Sequence, residues 1–135
     1  MTLLVSWVGV DCKKNGKEVA SIYISSDSRY TWGNSEKFDY GVKVFGSTKF
    51  PEIFGFCGDV LFPATILGQI IPQIDNGILF KNSDNAEIKS NKIFSYIKTS
   101  FENYPQNFIN NSNNRVYFFP YNSSSSYYKW IFRNS

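Results

Sequence analysis

Two stretches near the N-terminus alternate apolar residues with small or polar ones. They span residues 2–10 and 18–25, and the polar segment between them contains Asn15-Gly16. Alternation with a period of two is typical of β-strands, and Asn-Gly favours the tight turn of a hairpin. The pattern therefore predicts an antiparallel pair of strands, followed by a turn over residues 26–33, where small and polar residues cluster.

Two more strands are predicted before the first helix. Residues 38–45 alternate, which places Lys43 on the face opposite Phe38. Residues 52–57 form an apolar run that contains Gly55. A glycine within a strand allows another part of the molecule to approach the backbone closely.

The second half of the chain changes from a helical to a strand pattern. Apolar residues recur at helical spacing over residues 62–74, where Pro72 is expected to kink or stop the helix, and again over residues 88–103. Residues 116–121 and 127–132 then form two aromatic-rich strand patterns. This order predicts an α+β fold in which helices lie on a face of antiparallel sheet.

The composition fits a single domain over residues 1–135, with 42% hydrophobic residues to build its core. The formal net charge is only +3, and the basic residues are scattered along the chain, so nucleic-acid binding is not expected. The aromatic residues mostly alternate with aliphatic ones, which favours core packing over base stacking.

The cysteines and the hydropathy indicate where the protein acts. Cys12 and Cys57 are isolated, and the sequence contains neither a signal-peptide pattern nor an apolar run of about 20 residues. We therefore expect a cytoplasmic protein with reduced thiols and no membrane segment. Cys57 is interpreted as a structural thiol rather than a nucleophile, because no histidine is available to activate it.

The chain contains no histidine, and this excludes several classes of active site. Ser-His-Asp and Cys-His chemistry both need an imidazole base, and so do zinc sites with histidine ligands. Two cysteines are too few for a structural zinc cluster. No metal or other cofactor is expected, and a hydrolase built on this sequence would need a lysine, a carboxylate or the α-amine as its base.

Thr2 directly follows the initiator Met1 and opens the first predicted strand. If Met1 is removed, Thr2 carries a nucleophilic hydroxyl and an α-amine whose free pKa is about 7.7–8.0, so one residue supplies both nucleophile and base. The simpler interpretation is an apolar strand whose second residue happens to be threonine. On this segment alone, the simpler interpretation is the stronger one.

Four features in sequence order resemble the first half of the proteasome β-subunit and of the bacterial ATP-dependent protease with the same subunit fold. They are Thr2 at the start of a strand, an apolar run into a small-acidic-x-Arg-x-Thr segment at residues 22–31, a Lys-apolar-apolar segment at residues 43–45, and a Gly-x-x-Gly-Asp pattern within residues 53–59. The similarity extends to about Ile74. These families are N-terminal-nucleophile hydrolases, in which antiparallel sheets are layered with helices as an αββα sandwich.

The resemblance implies a role for four residues. Thr2 would be the nucleophile, Lys43 would lower the basicity of the amine and favour the alkoxide, and Asp27 would fix Lys43 by a charge-assisted hydrogen bond. Gly55 would offer its backbone N–H to the oxyanion. The structural alternative is an ion pair of Asp27 with Lys43 that ties two strands, and a glycine that packing requires at position 55.

The chain also departs from the family. The family continues through further strands and helices that supply a supporting serine and aspartate, and neither residue is placed here. A short or truncated domain is therefore expected, and so is a homo-oligomer or a protein partner that completes the sheet. Two functions follow: a threonine-type peptidase or amidohydrolase acting on a peptide or amide substrate, or a catalytically inactive assembly or interaction module.

Overall fold

The computed structural model describes residues 3–13, 16–32, 36–105, 115–119 and 129–133. Over these residues the fold is α+β, with small antiparallel sheets and two helices. The elements in chain order are β1 (Leu4–Lys13), β2 (Gly16–Ser26), β3 (Tyr30–Trp32), β4 (Glu36–Phe38), β5 (Val44–Gly46), β6 (Ile53–Cys57), α1 (Leu61–Asp75), α2 (Ala86–Glu102), β7 (Arg115–Phe119) and β8 (Lys129–Arg133).

The predicted N-terminal hairpin is confirmed. Strands β1 and β2 pair antiparallel over their lengths, with Trp7 opposite Tyr23 and a shift of register between Gly9 and Val10. Gly16 begins β2 with a φ of 123°, a conformation that favours glycine. Asn15, the other half of the predicted turn signal, lies outside the described residues.

The prediction of one strand over residues 38–45 is wrong. Strand β4 ends at Phe38, the chain turns, and β5 begins at Val44. The N–H of Gly41 donates to the carbonyl of Ser28 at 2.8 Å, which holds this turn against the loop that follows β2. Period-two alternation cannot distinguish one strand from two short strands joined by a turn. The predicted turn over residues 26–33 is likewise shorter, since β3 begins at Tyr30 and pairs with β4.

The larger sheet has the strand order β5-β6-β7-β8, and all its neighbours pair antiparallel. Its inner strand β6 confirms the predicted strand of residues 52–57 to within one residue, and β7 pairs with β8 as the two aromatic-rich segments predicted. Phe54 of β6 stacks on Phe118 of β7, with ring centroids 4.7 Å apart.

Both predicted helices are present as α1 and α2. The first continues past Pro72 and ends three residues later at Asp75, so the proline lies within its last turn. The second begins after Asn85, whose side chain accepts the N–H of Ile88 at 2.9 Å and so satisfies one free donor of the first turn. No helix within the described ranges is long and apolar enough to cross a membrane.

The two faces of the larger sheet have different neighbours. One face packs on the helices, and the buried residues there are Phe54, Phe56, Phe62, Ile66, Leu67, Ile70, Ile74, Phe80, Ile93, Ile97, Val116 and Phe118. Gly55 faces the opposite side of the sheet. A Cβ built on its backbone would lie 2.7 Å from Ile24 and 2.9 Å from Leu4. The β1–β2 hairpin therefore covers that face, and the described residues form three layers: helices, sheet and hairpin.

Candidate functional site

Lys43 lies immediately before β5 and is buried, with its side chain only 1% exposed. Its ammonium donates to Asp27 Oδ2 at 2.9 Å and to the carbonyl oxygen of Arg29 at 2.6 Å. Lys43 therefore does not lie within a strand of residues 38–45, where the alternation places it. The turn after β4 places Lys43 beneath the loop of residues 27–29. Strand alternation in the sequence does not predict this turn.

Asp27 joins this ammonium to the start of β1. Its Oδ1 accepts the backbone N–H of Leu3 at 2.8 Å, and its own N–H donates to the carbonyl of Leu3 at 3.2 Å. Burial opposes ionisation of Asp27, but the hydrogen bonds from Lys43 and from Leu3 outweigh it and lower the pKa of the carboxyl below its usual range. Asp27 is therefore an anion held between a buried cation and a main-chain donor.

Thr2, the predicted nucleophile, lies outside the described residues, and so does Met1. The structure brings Asp27 and Lys43 together and anchors Leu3, the residue that follows Thr2, to the same carboxylate. The sequence motif predicted the Asp27–Lys43 pair, whereas nothing in the sequence indicated the bond from Leu3.

A second ion pair supports the loop that carries Asp27. The Arg29 guanidinium bonds the carboxylate of Asp39 with two nitrogens, and both side chains are more than half exposed. The hydrogen bond from Arg29 lowers the pKa of Asp39. Ser28 also donates to the carbonyl of Asp39. The turn after β4 therefore holds the loop through both Ser28 and Arg29. Sequence reasoning did not single out Asp39.

An open cleft of about 560 Å³ adjoins Asp27. Its lining residues are Leu3, Ser26, Asp27, Ser28, Arg29 and Asp39. This volume lies within the range of about 300–1,000 Å³ that is common for ligand clefts in proteins.

Gly55 has a clear packing role. A Cβ at this position would lie less than 3 Å from the terminal methyl carbons of Leu4 and Ile24, so the glycine lets the hairpin pack closely on the sheet. The N–H of Phe56 points to β5 and bonds the carbonyl of Lys43 at 3.1 Å. Because N–H groups alternate along a strand, that of Gly55 points to β7, opposite Tyr117. Its role as an oxyanion donor stays a prediction.

Gly58 lies directly after the C-terminal end of β6. It follows the strand with a φ of 106°, which favours glycine, and Asp59 then accepts the N–H of Val60 at 2.7 Å to lead the chain into α1. Sequence reasoning used Gly58 only as part of a motif. The Gly-Asp pair after an apolar run is the sequence signal for this turn into α1.

The cysteines and acidic residues form no candidate metal site in the part of the chain that the structure describes. No group of three or more metal-ligating side chains occurs there. Cys12 is exposed, and Cys57 is half-buried rather than buried, with its sulfur 3.9 Å from the hydroxyl of Tyr117.

Comparison with known proteins found no matching family model, no matching curated protein and no matching solved structure. The linked geometry of Lys43, Asp27 and Leu3 is therefore the feature that marks this region as a candidate site.

Proposed function

We propose that this chain is an N-terminal-nucleophile hydrolase, a threonine-type peptidase or amidohydrolase that acts through Thr2 after removal of Met1. The single observation that carries the proposal is the continuous chain of contacts from the buried Lys43 ammonium through Asp27 to the N–H of Leu3. A strand can begin without a buried cation linked to its first residues through a carboxylate. Burying such a charge costs solvation free energy, so the link favours a role beyond holding β1 in place.

In this mechanism the Thr2 hydroxyl oxygen attacks the carbonyl carbon of a peptide or amide, and its proton moves to the α-amine of the same residue. The protonated amine then gives that proton to the leaving nitrogen as the carbon–nitrogen bond breaks. Water hydrolyses the resulting ester and restores the hydroxyl. The fixed positive charge of Lys43 favours the alkoxide, and Asp27 holds Lys43 in place.

The layering of the molecule supports the same proposal. Helices α1 and α2 cover one face of the four-stranded sheet, and the β1–β2 hairpin covers the other. Helix, sheet and second sheet are three of the four layers of an αββα sandwich. The free thiols of Cys12 and Cys57 suit a reducing compartment, and we infer that the protein acts in the cytoplasm.

A catalytically inactive assembly or interaction module is the second candidate. The outer face of the hairpin favours it, because Val5, Trp7 and Tyr23 are each about half exposed, and the last two rings stack with centroids 5.3 Å apart. Exposed apolar patches mark interaction surfaces. We infer a homo-oligomer or a protein partner that covers this surface, and light scattering coupled to size exclusion tests it: a stable monomer of 15.5 kDa would contradict association.

Intact mass spectrometry separates the two functions. In the hydrolase, the purified protein lacks Met1 and gains the mass of a peptide β-lactone or epoxyketone inhibitor. Thr2→Ser keeps a hydroxyl and should still react, whereas Thr2→Ala should not. A protein that retains Met1, or that forms no adduct after Met1 is lost, would be the inactive module.

A further inference from the structure

Tyr30, the first residue of β3, contacts the buried cation of the candidate site. The Lys43 nitrogen lies 5.6 Å from the centroid of the Tyr30 ring. The face of an aromatic ring attracts a cation at this distance through the ring quadrupole. Tyr30 therefore supplies a contact to Lys43 that neither Asp27 nor the carbonyl of Arg29 provides.

The hydroxyl of Tyr30 holds the segment that precedes Lys43. It donates to the carbonyl oxygen of Val42, the residue immediately before the lysine. Burial raises the pKa of the Tyr30 phenol, so the phenol remains a donor at neutral pH. One side chain thus touches the ammonium with its ring and the adjacent backbone with its hydroxyl.

The neighbours of Tyr30 leave its ring little freedom. A Cβ at Gly41 would overlap three atoms of the ring, so the ring lies directly against the Gly41 backbone. Trp32 and Phe38 approach it with centroids 6.0 and 6.2 Å away. The short β3–β4 hairpin therefore presents Tyr30 to Lys43 as a fixed group.

We propose that Tyr30 is a positioning residue that clamps the Lys43 ammonium against Asp27, with Gly41 providing the space that the clamp requires. Its effect on hydrolysis rests on the proposed function, whereas its effect on Lys43 does not. With Tyr30 in place, water is excluded from one side of the ammonium, and the cation keeps a single position relative to the start of β1.

The test compares Tyr30→Leu, Tyr30→Phe and Gly41→Ala with Phe94→Leu, a control that removes a partly exposed aromatic ring from α2, away from Tyr30 and Lys43. Lysines are acetylated in the native protein with sulfo-N-hydroxysuccinimide acetate, and the rate at each lysine is read by peptide mass spectrometry. In the wild type, Lys43 should react at least about tenfold more slowly than the exposed Lys98. Tyr30→Leu and Gly41→Ala should accelerate Lys43 at least about threefold, Tyr30→Phe should accelerate it less than Tyr30→Leu because the ring remains, and Phe94→Leu should change it less than twofold.

Hydrolysis of a peptide amide is measured on the same proteins. Positioning predicts that Tyr30→Leu lowers kcat at least about tenfold with KM changed less than about threefold, and that Tyr30→Phe restores most of the loss. Unchanged Lys43 acetylation in both Tyr30→Leu and Gly41→Ala overturns the clamp, whatever the activity. Faster acetylation with unchanged kcat overturns its role in catalysis. If the wild-type protein shows no hydrolysis, only the proposed function is refuted, because the acetylation rates still test whether Tyr30 positions Lys43. If Tyr30→Leu does not fold, the acetylation rate in Gly41→Ala provides this test.

Discussion

The main-chain N–H of Leu3 and the carboxylate of Asp27 are joined by a hydrogen bond of 2.8 Å. The other oxygen of the same carboxylate accepts a bond from the buried Lys43 ammonium at 2.9 Å. One side chain therefore links the start of β1 to a cation that has almost no contact with solvent. Removing either charge should affect both the stability of the fold and the proposed reaction.

We expect Asp27→Asn to lower the free energy of unfolding by about 1–2 kcal/mol, because an amide cannot balance the charge of the Lys43 ammonium. The larger losses known for fully buried pairs do not apply, since the Asp27 side chain is 31% exposed. Urea unfolding at pH 7 measures the change. Asp39→Asn, which breaks the exposed pair with Arg29, is the matched control and should cost less stability than Asp27→Asn.

The same pair predicts a pH dependence. The folded state holds the pKa of Asp27 below the value of about 3.9 found in unfolded chains, so its contribution to stability is complete above about pH 4. The contribution is lost as the pH falls through the lowered pKa. The stability difference between wild type and Asp27→Asn should therefore shrink below about pH 4, and a difference that stays constant down to pH 2 would argue against this ion pair.

Lys43→Met should abolish hydrolysis and also reduce stability by about 1–3 kcal/mol, because it leaves Asp27 without its cation. A surface lysine would have allowed the substitution at no cost to the fold, but the Lys43 side chain is buried. Circular dichroism and urea unfolding measure the stability, with Lys98→Met on the exposed face of α2 as the control. Activity within a few-fold of wild type in folded Lys43→Met protein would return Lys43 to a structural role.

Gly55→Ala should destabilise the protein by about 1 kcal/mol, since its Cβ would meet the terminal methyl carbons of Leu4 and Ile24 at less than 3 Å and both side chains must shift. Gly46→Ala in the neighbouring strand β5 is the control, because a Cβ there has no neighbour within 4 Å. Thermal unfolding of both variants checks the prediction. Equal stability of the two variants would show that the hairpin does not pack on Gly55.

Asp75, at the end of α1, should remain ionised to low pH and hold the turn before β6. Hydrogen bonds from Ser47 and Thr48, in that order, are the main causes that lower its pKa to about 2. The amide N–H groups of Thr48 and Lys49 also donate to it, at 3.1 and 3.3 Å. Their NMR shifts should titrate with a midpoint near pH 2 and lose this transition in Asp75→Asn. A midpoint near 4 would mean that these bonds do not form.

Lys89→Met should be among the most destabilising single changes, costing about 3–5 kcal/mol. Lys89 on α2 donates to Glu52 at 2.6 Å, the Glu52 side chain is fully buried, and its second carboxylate oxygen has no hydrogen-bond partner among the described residues. Replacing both residues, as Glu52→Leu with Lys89→Met, should recover most of the loss, since no buried charge is left over. Urea unfolding of the single and double variants measures this, and strictly additive losses would contradict it.

Local patterns were enough to predict much of the secondary structure. Alternation and a turn signal predicted the β1–β2 hairpin, helical spacing predicted α1 and α2, and the apolar run around Gly55 predicted β6. These features depend on residues a few positions apart, so the period of the side chains and the preferences of glycine and asparagine are sufficient. The motif also placed Asp27 and Lys43 in one candidate site, and the structure brings their side chains together.

Only the tertiary structure decided how that pair is built. The turn after β4, the burial of Lys43 beneath Tyr30 and the bond from Leu3 to Asp27 all depend on segments that are distant in sequence. The direction of the Gly55 N–H depends in the same way on which strand lies on each side of β6. Such contacts form only when the layers pack against each other, because burial and hydrogen-bond pairing depend on the whole core. The side-chain periodicity of one segment does not show which other segments will lie beside it in space.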